Sequence, residues 1–79
     1  MNMIKIAMAW FEPNPKNTMI QTISEAMEFY TKKYKLTPDI VTVNPAQYNP
    51  ETIYPIRVEP WRYTLLGNIF IGIADDSIL

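Results

Sequence analysis

One segment near the N-terminus has the pattern of an amphipathic α-helix, and it limits what the rest of the chain can form. Its apolar residues recur at steps of three and four; they are Ile20, Ile23, Met27, Tyr30 and Tyr34, with Met19 and Ala26 beside them. This spacing puts them on one wide helix face, which another layer must cover. Thr18 and Gln21 have the spacing of a capping box, and Asn14 is an alternative N-cap. Pro38 disfavours a helical residue before it, so the helix is expected to end near Lys35.

Four further segments have the apolar patterns of β-strands, and the chain offers no second helical pattern. They are residues 3–11, 39–43, 56–59 and 68–74. The first is apolar on both sides, which predicts a central strand. A strand, a helix and a second strand in this order predict a right-handed parallel crossover. Pro55 and Pro60 bracket the third segment, and because proline cannot donate to a central ladder, they predict a short edge strand.

Together these elements predict an α/β fold, a two-layer β-α-β-β-β domain with one helix packed on a mixed four-stranded sheet. The length of 79 residues allows one domain at most, so residues 1–79 are expected to form a single small unit. A chain of this size buries only about 60% of its unfolded surface, so a partner can contribute to its stability.

The residue types missing from the chain exclude several kinds of chemistry. It has no cysteine and no histidine, which rules out disulfides, thiolate nucleophiles, zinc fingers and histidine-dependent catalysis. Its two glycines cannot form a phosphate-binding or dinucleotide-binding loop. Ser24 has no histidine base to activate it, and Asp75 and Asp76 would point to opposite faces of an extended strand. The sequence therefore predicts no catalytic residues, no metal site and no cofactor.

The charge balance and the hydropathy limit the partners. Seven basic residues are balanced by eight acidic ones, whereas nucleic-acid binding requires clustered Lys and Arg. The apolar run "IAMAWF" is too short for a signal-peptide core or a membrane span. We therefore expect a soluble, cytoplasmic protein with neither a nucleic-acid partner nor a membrane partner.

A ligand crevice is expected where the first two strands end. In open α/β sheets, ligands bind beyond the carboxyl ends of parallel strands, and the helix N-terminus at the same place could hold an anion. The candidate ligand-binding residues are Trp10, Glu12, Asn14, Thr18, Asn44 and Gln47. Glu12 is the one carboxylate among them. The alternatives are that Trp10 belongs to the core and that Asn14 is a helix cap.

The two faces of the predicted sheet differ in side-chain size. The face with the larger side chains suits the helix; it carries Ile4, Ile6, Met8, Ile69, Ile71 and Ile73. The other face carries mostly small apolar side chains, and its candidate interface residues are Ala7, Ala9, Phe11, Phe70, Gly72 and Ala74. Such a face is seldom left in water. Either the aromatic residues of the loops fold over it or a second copy of the chain does; these residues are Tyr48, Tyr54, Trp61 and Tyr63. Phe29 lies outside the helix stripe. It is either an isolated exposed aromatic residue or a contact for a partner protein.

Residues 17–76 carry a series of short motifs in a recognisable order. A helix leads to "TPDIVTVNPAQY" and then to "IRVEPWRYTLLGNIFIGIAD"; the motif residues are Asn44, Pro45, Tyr48, Val58, Pro60, Leu66, Gly67 and Gly72. This stretch resembles the axial domain of tailed-phage major capsid proteins, the fold shared with encapsulins. The chain departs from that family because it has no long peripheral helix, no extended loop and no N-terminal arm, the parts that build the shell. The resemblance implies a local fold and a phage-derived origin, without a capsid function.

On these grounds the sequence predicts a small non-catalytic interaction or assembly module that forms a homodimer through the sheet face or binds another protein. The alternative is a small-molecule or anion-binding protein, or a weak enzyme, that uses the crevice. Solution mass separates the two, because an obligate dimer favours assembly and a monomer with an open crevice favours ligand binding.

Overall fold

The structure is a computed structural model that describes residues 4–14 and 16–75. Its elements in chain order are β1 (Ile4–Phe11), α1 (Met19–Tyr34), β2 (Ile40–Val43), a 3₁₀ helix (Pro45–Gln47), β3 (Arg57–Pro60) and β4 (Asn68–Ala74). The predicted α/β fold, with one helix packed on a mixed four-stranded sheet, is confirmed. Met3, which the sequence placed in the first strand, lies outside the described residues.

Helix α1 begins at the capping box predicted from Thr18 and Gln21. The Gln21 N–H donates to Thr18 Oγ1 at 3.1 Å, and the Thr18 N–H donates to Gln21 Oε1 at 2.8 Å. Thr18 is therefore the N-cap, and the alternative cap Asn14 lies in the preceding loop. The helix ends at Tyr34, and Lys35 follows as a C-cap in the left-handed region with a φ of 58°.

The sheet has the strand order β1-β4-β2-β3. β4 is antiparallel to both of its neighbours, and β2 is parallel to β3. The edge position predicted for β3 is confirmed, but the central position predicted for β1 is wrong, because β1 forms the opposite edge and β4 lies between it and β2. The second apolar side of β1 consists largely of small side chains, and Ala9 on that side is exposed. β1 and β2 still run in the same direction, so their carboxyl ends lie at the same end of the sheet.

Strand β1 is interrupted by a bulge that the sequence pattern does not show. The register with β4 shifts between Lys5 and Met8, and Ile6 has a φ of 51°, which is rare for a β-branched residue. The shift moves Ile4 to the face opposite the helix, where its side chain packs over Gly72. The prediction that Ile4 and Ile6 face the helix together with Met8 is therefore wrong, and Ile6 is 48% exposed.

The hydrophobic core lies between α1 and one face of the sheet. Its buried residues are Met8, Ile23, Ala26, Tyr30, Val41, Val43, Ile69 and Ile71. Most of the predicted apolar face of α1 packs in or against this core; the exception is Ile20, which is exposed, while Thr22 is buried. Ala26 lies near the middle of this face with 0% exposure, and its short side chain allows the helix to approach the sheet closely.

Candidate functional site

A cleft lies at the end of the sheet where β1 and β2 finish, as the sequence predicts. Its volume is about 290 Å³, and its lining includes Glu12, Asn14 and Gln47 from the predicted set. Sequence reasoning missed Asn17 and Gly67, which also line it. Gly67 reaches the cleft through a tertiary contact with Gln47, which no local pattern marks. Asn17 lies only five positions from Glu12, and its contact with that residue is local.

The other three predicted ligand residues have structural contacts and lie outside the lining of the cleft. Thr18 uses its hydroxyl as the helix N-cap. Asn44 caps the 3₁₀ helix by accepting from the Ala46 N–H at 2.9 Å, and its Nδ2 donates to the Thr64 carbonyl at 2.9 Å. Trp10 packs partly on the core and partly on Phe29.

The Glu12 carboxylate makes one wall of the cleft acidic, and hydrogen bonds hold it in place. The Glu12 carboxylate accepts from Asn17 Nδ2 at 3.0 Å and from the Asn14 N–H at 3.2 Å. The same Asn17 nitrogen donates to Glu25 Oε1 at 3.0 Å, so one neutral amide bridges two carboxylates. This arrangement favours a ligand that donates hydrogen bonds or carries positive charge over an anion.

Another part of the cleft wall is held by a contact between two loops. The Gly67 N–H donates to Gln47 Oε1 at 3.0 Å, which joins the 3₁₀ helix to the turn before β4. Gly67 has a φ of 81°, so the turn requires a residue that tolerates the left-handed region. Gln47 therefore has a positioning contact within the protein as well as a place in the cleft lining.

The sheet face opposite the helix, here called the second face, is divided into a covered half and an open half. In the covered half, Thr42 and Thr64 share a buried hydrogen bond of 3.0 Å, and Trp61 packs edge-on against Phe70. Residues 61–67 therefore fold over the part of the sheet formed by β2 and β4. The sequence left open whether loop residues of the same chain or a second copy would cover this face. In this half, loop residues of the same chain cover it.

The open half of the second face lies along β1. Of the predicted interface residues, Ala7, Ala9 and Phe11 are exposed there, whereas Gly72 is buried and Phe70 is half-buried. Ala74 is also half-buried and pairs with Ile4. The sequence did not separate these two groups, because Trp61 packs on Phe70 and Ile4 packs over Gly72 only in the tertiary structure.

Several large apolar side chains are exposed beside this open half. Phe11 is 57% exposed and is the nearest side chain to the vacant Cβ position of Gly67. The turn that leads to Gly67 exposes Leu65 and Leu66, at 69% and 63%, and Tyr63 at 60%. The end of β1 and this turn therefore present an apolar surface, which we call the β1 face: Ala7, Ala9, Phe11, Leu65 and Leu66.

Within residues 4–14 and 16–75, no group of three or more acidic, histidine or cysteine side chains is placed to hold a metal ion. Asp76, one of the adjacent acids considered from the sequence, lies outside the described residues. None of the helices in the described part of the chain combines the length and the hydropathy that crossing a bilayer requires.

Comparison with protein-family models, curated proteins and solved structures gives no match to this chain. The similarity of residues 17–76 to the axial domain of phage capsid proteins therefore stays a prediction.

Proposed function

We propose that this protein is a small non-catalytic assembly module that self-associates through the β1 face. The observation that carries the proposal is the exposure of Phe11, Leu65 and Leu66, together with that of Ala9, beside a sheet face that the described residues cover only in part. A group of exposed large apolar side chains of this kind is typical of a protein–protein contact. Alanines in the middle with larger apolar side chains at one end allow close approach of a second sheet.

A second copy of the chain is the occupant that the edge strand favours. Among the described strands, β1 has a neighbour on one side only, so the backbone groups on its outer side face away from the sheet. Two such strands can pair antiparallel about a two-fold axis, which is the commonest closed arrangement. The bulge at Ile6 would limit this pairing to residues 8–11. A stable contact requires on the order of 1,200 Å² of buried surface, more than pairing of four residues supplies, so the contact would be built mainly by the β1 faces packing on each other.

The test is the mass of the protein in solution over a concentration series, by sedimentation or light scattering. We expect the wild type to reach the mass of a dimer. Ala9→Arg would place an unpaired charge in the middle of the contact and should weaken association by at least about tenfold, with the fold retained. Ser24→Arg is the matched control, because Ser24 is exposed on the helix and the same charge is added there.

Two outcomes would contradict self-association. One is a wild-type chain that remains monomeric at high concentration. The other is an Ala9→Arg variant that loses stability while its mass matches that of the wild type, since this would mean that the chain itself covers Ala9.

A second candidate function is favoured by the cleft at Glu12, whose carboxylate and amide groups suit a small ligand with hydrogen-bond donors. A monomer whose Gly67 amide resonance shifts saturably with a small diamine, and less so in Glu12→Gln, would favour this function over self-association.

A further inference from the structure

A separate concave site lies where the edge of α1 meets β1, on the helix side of the sheet. Trp10 and Phe29 pack with ring centroids 5.2 Å apart and ring planes inclined at 52°. Together with Glu25, Glu28 and Lys32 they line an open notch of about 200 Å³. Trp10 pairs with Ile69 of the core, whereas Ala9 of the β1 face points to the opposite side of the strand. The notch and the β1 face therefore lie on opposite sides of the sheet.

The two aromatic rings offer ring surface to this notch. Phe29 is 47% exposed although it packs on Trp10. The Trp10 ring is partly buried, and its Nε1 is buried with no hydrogen-bond partner among the described residues. The polar group of Trp10 is thus turned away from solvent. The face of an aromatic ring carries partial negative charge and attracts cations.

The charged side chains around the rings leave the notch negative. Glu28 is paired with Lys32 at 3.2 Å. Glu25 accepts its hydrogen bond from the neutral amide of Asn17, so that contact does not neutralise its carboxylate. Two carboxylates and one ammonium group therefore surround a pair of aromatic rings. A cation in the notch would be attracted by the ring faces and by Glu25 at once.

We propose that this notch binds a quaternary ammonium group. Such a group is rounded and has no hydrogen-bond donors, so it requires only ring surface and nearby negative charge, which are what the notch supplies. A primary ammonium is more strongly hydrated and would lose hydrogen bonds to water that the rings do not replace. The volume of the notch is below that of pockets for whole drug-sized ligands, which suits a single head group.

Choline is the probe, and the indole N–H resonances of the two tryptophans are the readout. We expect a saturable shift of the Trp10 resonance with a dissociation constant in the millimolar range, because each exposed cation–π contact is weak. Trp61 packs on Phe70 in the covered half of the second face and serves as an internal control that stays unshifted. A Trp61→Phe variant assigns the two signals. The uncharged carbon analogue of choline, with a tert-butyl group in place of the trimethylammonium group, should give no saturable shift of Trp10.

Substitutions separate the contribution of the ring from that of the charge. Phe29→Ala should weaken choline binding by about three- to fivefold, as expected for loss of one exposed cation–π contact. Glu25→Gln should weaken it by about twofold, whereas Lys32→Gln should strengthen it, since Glu28 would then lack its paired cation. Glu51→Gln, at an exposed carboxylate in the loop before β3, is the matched control and should leave binding unchanged.

The proposal is overturned if choline gives no saturable Trp10 shift up to about 100 mM, well above the range expected from weak cation–π contacts, when compared with the same concentration of sodium chloride. It is also overturned if the uncharged analogue binds equally well, or if Phe29→Ala and Glu25→Gln, both folded by circular dichroism, bind choline like the wild type.

Discussion

At the scale of single residues, the Tyr30 hydroxyl joins the helix to the irregular part of β1. Tyr30 has 0% exposure, and its hydroxyl donates to the Ile6 carbonyl at 2.7 Å. This bond holds the residue that carries the unfavourable φ of the bulge. Burial raises the pKa of Tyr30, and negative charge on Tyr34 and Asp39 raises it further.

The raised pKa of Tyr30 predicts how stability depends on pH. Folding favours the protonated hydroxyl, so its contribution is complete below the unfolded pKa of about 10 and is lost as pH rises through the folded pKa. In urea denaturation we expect the free energy of unfolding to be level from neutral pH to about pH 9 and to fall above about pH 10. Tyr30→Phe should lower it by about 1 kcal/mol at neutral pH and remove most of the later fall.

Tyr63→Phe is the control for this experiment, because Tyr63 is an exposed tyrosine whose loss should leave the alkaline fall in place. If Tyr30→Phe shows the same fall as the wild type, a different group is responsible for the pH dependence.

The roles of individual residues were predictable where they depend on chain neighbours. Thr18 and Gln21 lie three positions apart, and their capping box formed as the spacing indicated. Trp10 and Asn44 were assigned to the ligand crevice, but Trp10 packs on Phe29 and Asn44 donates to the carbonyl of Thr64, each about twenty positions away in sequence, in addition to the local cap that Asn44 forms with Ala46. Contacts at this separation depend on how the layers pack, which local spacing does not specify.

At the scale of the elements, the C-cap of α1 is a strained residue, and its replacement is expected to stabilise the protein. Lys35 is exposed and lies in the left-handed region, where glycine has no steric penalty. Lys35→Gly should raise the free energy of unfolding by about 0.5–1 kcal/mol. Lys33→Gly, two positions earlier within the helix, should lower it by about 1 kcal/mol. Thermal unfolding of the two variants measures this contrast, and loss of stability in both would contradict the cap geometry.

The helix and the four strands could be predicted from side-chain periodicity, because each pattern is local to its segment. The position of β1 at an edge could not, since an apolar residue on each side is compatible with either place in a sheet. The bulge was missed for a related reason. Ile4, Ile6 and Met8 alternate regularly in the sequence, and only pairing with β4 shifts Ile4 to the other face.

At the scale of the whole molecule, the strand order predicts an order of local stability. β4 and β2 lie inside the sheet, and each residue of β2 is buried. β3 is an edge strand of four residues with exposed ends. In hydrogen–deuterium exchange we expect the paired amides of β4 and β2 to exchange at least about tenfold more slowly than those of β3, a difference of about 1.4 kcal/mol. Equal protection in all three strands would mean that the sheet opens only as a unit.

The cleft and the second face differ in how much of each could be predicted from the sequence. The cleft was predictable in position, because the carboxyl ends of β1 and β2 fix it and three of its residues follow from that. The division of the second face was not, since Thr64 meets Thr42 only after residues 61–67 have folded back over the sheet.

The central place of β4 also governs when the sheet can form during synthesis. β1 and α1 leave the ribosome first and β2 follows, but β1 and β2 are joined only through a strand that begins at Asn68. Pairings between such distant segments form slowly, and unpaired apolar strands are prone to aggregate. The nascent chain must therefore carry β1 without its sheet partner until residue 74 has left the exit tunnel, and the sheet can close only when β4 inserts between β1 and β2.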